Sequence, residues 1–147
     1  MDKNSYLIDL SESNHTDFGR VEFTDQTEPQ KVFSAIWALE SQINNGGFLQ
    51  YFVSSDFDTA NFAPVALRSI GAQACADIAE HSLLALPLSR LPDSQQACVD
   101  LVDSLREEER EQFDSLDSEF FTCPDNLTEL LFAYVSNHPE AFGQTPQ

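Results

Sequence analysis

The sequence predicts an all-α fold: a single-domain helical bundle of about five to six helices. Three observations predict it. Apolar residues recur at helical spacing in several segments, nothing alternates convincingly at period two, and glycine or proline clusters separate the periodic runs. At 147 residues and 41% hydrophobic, with twelve Phe, the chain has the length and apolar content for one core. That content also sets it apart from a disordered acidic tail.

The elements follow in order. Residues 1–27 read as a weakly structured N-terminal segment, in which "YLID" and "RVEF" are candidates for short extended pieces. The folded domain is expected over 28–142. Pro29 suits a first helical turn, and Val32, Ile36, Leu39 and Ile43, with Phe33 and Trp37 beside them, repeat at helical spacing. Gly46 and Gly47 end this helix. A short second helix carries Phe48, Tyr51 and Phe52. Pro64 opens a third, running to about Leu86 with Gly71 inside it, and "LPLSRLPDS" closes it. Asp93 or Ser94 then caps a long acidic helix over roughly 95–119, with Cys98, Leu101, Val102, Leu105, Phe113 and Leu116 on one side. "TCPDN" breaks the chain. Leu127, Leu130, Leu131, Tyr134 and Val135 define a last helix that His138-Pro139 terminates.

Twenty-five Asp and Glu stand against seven Lys and Arg, a net charge of −18. Such a surface repels nucleic acid and anionic lipid, and attracts cations or basic proteins. The N-terminus lacks the cationic start and apolar run of a signal peptide, and no stretch approaches the roughly 20 apolar residues of a membrane span. The three cysteines, Cys75, Cys98 and Cys123, are odd in number and lack C-x-x-C spacing. They predict neither a disulfide framework nor a zinc site, but small buried hydrophobes in a reducing compartment. A cytoplasmic location is expected, with no metal and no cofactor.

Candidate catalytic and ligand motifs resolve into structural ones. "NNGGF" lacks the lysine and spacing of a phosphate loop and follows a helix rather than a strand. Its asparagines and glycines instead accept positive φ, so the chain can reverse and deliver Phe48, Tyr51 and Phe52 into a core beside Trp37 and Phe33. Asn44 and Asn45 are candidates for capping backbone groups there. In "DFDTAN", Asp56, Asp58 and Asn61 suggest calcium, but the EF-hand positions for Gly and Glu hold Asn61 and Leu67. A helix N-cap is the better reading. His15, His81 and His138 fall in no catalytic pattern and suit surface or cap positions. No catalytic constellation emerges, and no enzyme is expected.

The acidic helix carries the informative pattern. Asp100, Asp103, Glu107, Glu111 and Asp114 step by three or four, which lays them on one helical stripe about 21 Å long at about 1.5 Å of rise per residue. Glu108, Asp117 and Glu119 add to it. Like charges at this spacing oppose the helix by about 0.2–0.5 kcal/mol per pair, an opposition that Arg106 and Arg110 partly offset. A solvated face is one reading. The other is a surface that docks where nucleic acid would, against Lys and Arg.

The segment "LESQINNGGFLQYFVSSDFDTANFAPVALRSIGA" resembles the DNA-mimic protein nineteen family. The resemblance rests on Asn45, Gly46, Gly47 and Phe48, then Gln50, Tyr51 and Phe52, then Ile70, Gly71 and Ala72. It extends through "FDSLDSEFFTCPDNLTELLFAYVSNHPEAF" and covers about residues 28–142. It implies an acidic, helical, bacterial homodimer that binds a helix-turn-helix transcription regulator and blocks operator binding, without touching nucleic acid or membrane itself. Asn45, Gly46, Gly47, Phe48, Tyr51 and Phe52 are then expected to hold the fold. Asp100, Asp103, Glu107, Glu111, Asp114 and Asp117 are the expected contacts to the basic partner. Two other classes stay open: a non-mimic interaction or immunity-type module recognised through an apolar groove, and a hydrolase with a carboxylate site.

Overall fold

The computed structural model describes residues 3–11 and 23–142, and among them there are α-helices and 3₁₀ turns but no strand. The helices are α1 (Lys3–Ser11), α2 (Glu28–Val53), α3 (Ala63–Ser69), α4 (Gln73–Leu84), α5 (Gln95–Asp103), α6 (Glu107–Phe121), α7 (Leu127–Ser136) and α8 (Pro139–Phe142). None of them is long and apolar enough to cross a membrane.

The spine is α2, against which α3, α5, α6, α7 and α8 all pack. Its start follows from local chemistry. The Thr27 N–H donates to Gln30 Oε1 at 3.0 Å, which satisfies a backbone donor that the first helical turn leaves without a partner. Val32, Phe33, Ala35, Ile36, Ala38, Leu39 and Ile43 are buried along it. The interruption expected at the double glycine is present. Gly47 has φ 86° and ψ −174°, a region in effect reserved for glycine, so Glu28–Val53 is two helices joined by a kink.

Beyond the kink, Phe48, Tyr51 and Phe52 are each 1% exposed. Their ring partners differ from those expected. Phe48 meets Phe120 edge to face (6.0 Å between centroids) and Phe52 meets Phe113 (5.9 Å), both from the inner side of α6. Phe33 and Trp37 stack on one another at 5.5 Å, and Phe33 also meets Phe142. Beyond the kink the buried rings meet α6, whereas Phe33 and Trp37 before it pack on one another.

Other elements also depart from the sequence reading. "YLID" lies inside α1 and is helical rather than extended: Leu7 is buried, and Tyr6 packs edge to face on Phe132 of α7 at 5.5 Å. Lys3 pairs with Glu129 of the same helix. Of "RVEF", Arg20 to Glu22 lie outside the described residues, and Phe23 begins a 3₁₀ turn. Gly71 is not interior to a helix; at φ 86° it ends α3 and separates it from α4. Pro139 opens α8 rather than only ending α7, and Gln30 Nε2 donates to Ala141 O at 3.0 Å to hold α8 against α2.

The single acidic helix expected over 95–119 is two helices, broken at Ser104, Leu105 and Arg106. Ser94, not Asp93, caps the first, accepting from Ala97 N–H at 3.1 Å. Ser104 Oγ and the Arg110 guanidinium donate to the terminal carbonyls of α5, those of Leu101 (2.6 Å) and Val102 (2.6 Å). Glu109 then accepts from Arg106 N–H at 3.0 Å to start α6. The physical reason is electrostatic. A fresh helix start puts Glu107, Glu108 and Glu109 at the positive end of a macrodipole, whereas an uninterrupted helix would hold them mid-span.

Candidate functional site: the acidic face of α5 and α6

Helices α5 and α6 together carry nine carboxylates against Arg106 and Arg110. Asp100 and Asp103 are exposed on α5, and Glu107, Glu111 and Asp114 are exposed on α6. The break between the helices means that the five do not lie on one straight stripe; they form two short rows. Asp100 accepts a hydrogen bond from Gln96 Nε2 at 3.0 Å. The two arginines are largely turned to internal work. Arg110 reaches the Val102 carbonyl, and Arg106 holds Glu109 at 3.1 Å and lies 3.9 Å from Glu108. Contacts from the Arg106 backbone N–H and its guanidinium hold the Glu109 carboxyl below the usual carboxylate range.

Asp117, expected with the contact residues, is half buried and faces the Gly47 turn. Its Oδ1 accepts the Phe48 N–H at 2.8 Å, so it caps the second half of α2 from another helix. Burial pushes its pKa up, opposed by the Phe48 N–H and reinforced by Asp114. Gly47 makes room for this contact. A Cβ there would stand 2.3 Å from Asp117 Oδ2 and 2.7 Å from its Cγ. The Gly47 turn and the acidic helix are therefore joined at one carboxylate. Asn45 and Gly46 are exposed on the outer side of the turn.

The "DFDTAN" carboxylates do not cap α3, whose N-cap position is Phe62 with no side-chain bond. Asp56 accepts from Gln42 Nε2 at 3.0 Å, and the Tyr51 hydroxyl meets Thr59 Oγ1 at 2.5 Å beneath it. Asn61 clasps Leu91 in both directions, donating to its carbonyl at 3.0 Å and accepting its N–H at 2.8 Å. His81 is exposed. His138 is near Tyr134 O at 2.8 Å and lies over the Tyr134 ring at 4.2 Å, and His15 lies outside the described residues.

A cleft of about 250 Å³ is lined by Glu40 and Asn44 of α2, Cys75 of α4, and Cys123, Asp125 and Asn126 of the loop between α6 and α7, among others. Ala72, at the N-cap of α4, has no side chain to cap it, and Asp125 Oδ2 accepts the Cys75 N–H at 2.9 Å in its place. The Cys75 thiol is driven up by burial, with Cys123 and Asp125 adding to the effect. Burial likewise raises Glu40. Sequence reading missed this grouping because Cys75 is 48 and 50 positions from Cys123 and Asp125, and no local spacing joins it to them.

Neither the curated proteins nor the solved structures contain a match to this chain. A family model described as DMP19-like protein matches residues 24–138, well over half of the chain and including the kinked turn and both acidic helices. The chain belongs to the DMP19-like protein family.

Proposed function

We propose that this chain is an acidic DNA mimic, a cytoplasmic homodimer that occupies the basic DNA-contacting surface of a helix-turn-helix transcription regulator and blocks its binding to DNA. The observation that carries the reading is the exposed set Asp100, Asp103, Glu107, Glu111 and Asp114, with Asp117 at its inner edge. Family membership and the net charge of −18 support it. So does the use made of Arg106 and Arg110, which bond to backbone carbonyls and first-turn glutamates and leave those five carboxylates without an arginine partner among the described residues. Within α6 the steps of three and four residues separate carboxylates by about 5 Å at about 1.5 Å of rise each. One DNA strand presents a phosphate about every 3.4 Å of axis. A Lys/Arg groove shaped for phosphates meets a comparable, sparser ladder of charge.

The test is capture of partners from host lysate by the tagged chain, eluted in rising salt and challenged with duplex DNA. A basic helix-turn-helix protein released at moderate salt and displaced by DNA is the expected result. Reversing Glu107, Glu111 and Asp114 to Lys should weaken that complex at least about tenfold, since each opposing pair turns from attraction to repulsion. Unchanged binding by a folded triple variant would remove the proposal.

A second reading, a non-mimic interaction module, draws on exposed Leu84 (58%) and Leu88 (69%) near the end of α4. Its complex would survive high salt and ignore DNA.

A further inference from the structure

The geometry points to a thiophilic metal site in the cleft between α4 and the α6–α7 loop, in which Cys75, Cys123 and Asp125 bind a divalent d¹⁰ cation of the zinc class. The Sγ atoms of Cys75 and Cys123 and a carboxylate oxygen of Asp125 all lie within 4.8 Å of one another. Zinc–sulfur bonds of about 2.3 Å in tetrahedral geometry place two sulfurs about 3.8 Å apart, so rotamer adjustment of the order of 1 Å closes the set.

Three further features suit a soft cation. Two sulfur donors discriminate against calcium and magnesium, which the many exposed carboxylates of this chain would otherwise attract. One carboxylate completes three protein ligands, which would leave a fourth position for water, and Glu40 lines the same cleft. The Asp125 carboxylate is already oriented, because its Oδ2 accepts the Cys75 N–H at 2.9 Å. The ligands come from two elements, so the ion would clamp the start of α4 to the loop that leads into α7. On binding, each thiol gives its proton to solvent as its sulfur bonds to the metal, and no oxidant is needed. This site is separate from the acidic face and stands or falls independently of the mimic reading.

The experiment is titration of the full-length, phosphine-reduced chain with Co²⁺, a tetrahedral reporter for zinc, followed by optical absorption. Surface carboxylates also bind Co²⁺, so the readout must be specific for sulfur. One equivalent is expected to produce sulfur-to-cobalt charge transfer and tetrahedral d–d bands, both abolished by Zn²⁺. Cys123→Ser, a change in a half-buried loop position, should remove much of the charge-transfer intensity and weaken binding at least about tenfold, with helical circular dichroism unchanged. Asp125→Asn keeps an acceptor for the Cys75 N–H and should retain the charge-transfer band while weakening affinity about tenfold. Pale, octahedral spectra alone would overturn the site, as would a charge-transfer band indifferent to Cys123→Ser. So would a chain that forms a Cys75–Cys123 disulfide in air but takes up no cobalt after reduction.

Discussion

Replacing Gly47 with Ala tests the joint between the kinked turn and the acidic helix, and the structure supplies each part of the expected effect. At φ 86° and ψ −174° an L-residue is strained by about 1–3 kcal/mol. The new Cβ would also sit 2.3 Å from Asp117 Oδ2 and 2.7 Å from Cγ, far inside van der Waals contact. The aspartate must swing away, and the Phe48 N–H loses its charged acceptor, a hydrogen bond of about 1.5–3 kcal/mol. Together these give about 2.5–6 kcal/mol of destabilisation, or roughly 8–19 °C in Tm for a chain of this size. Urea unfolding followed by circular dichroism and the single Trp37 measures it. Gly71→Ala is the built-in comparison. Its φ is also 86°, but an added Cβ there meets nothing within 4 Å, so only backbone strain of about 1–3 kcal/mol is expected. In an Asp117→Ala background, Gly47→Ala should fall toward the same value, because the clash and the lost acceptor are both gone. A Gly47→Ala cost equal to that of Gly71→Ala in the native background would refute the account.

Three further outcomes are expected. Asn61→Ala removes both bonds to Leu91 and should destabilise by about 1–3 kcal/mol in urea unfolding. Ser94→Ala should cost about 1 kcal/mol by the same assay and Asp93→Ala close to nothing, because only the serine caps α5. Burial raises the Glu40 pKa in the folded chain, so within the window between its ordinary and its raised value the folded state binds more protons than the unfolded one. Stability contributed by Glu40 therefore falls as pH rises through that window. Glu40→Gln should match wild type below it and exceed wild type above it, in chelator-treated protein unfolded by urea across the acid range.

The sequence was most legible where local chemistry and periodicity agree. The α2 stripe from Val32 to Ile43, the double-glycine interruption and the Leu127–Val135 run each announce themselves within a few residues, and each is present. Short, polar α1 was opaque because burial of Leu7 and the Tyr6–Phe132 contact depend on α7, more than a hundred positions away. The break at Ser104–Arg106 was hidden because the apolar positions on either side continue in helical register, and periodicity cannot distinguish one helix from two in line. What ends α5 is polar: the Ser104 hydroxyl, the Arg110 reach to Val102, and three glutamates seeking a helix start. The acidic residues of the candidate face could be read directly, but the diversion of Asp117 could not. Only the fold reveals that Gly47 leaves a space of its shape.

The Asp117–Phe48 bond divides the labour of α6 between two populations of residues. Phe113, Leu116, Asp117 and Phe120 look inward, with Asp117 and Phe120 held against Phe48 of the turn, whereas Glu107, Glu111 and Asp114 are exposed. Among the second set, only Asp114 acts on the first, through the charge it sets beside Asp117. The negative charge presented by Glu107 and Glu111 can thus be retuned, or removed altogether, without touching the glycine–phenylalanine turn. In this chain the turn belongs to the architecture, and the outer residues of α6 must be read separately to learn what the architecture is for.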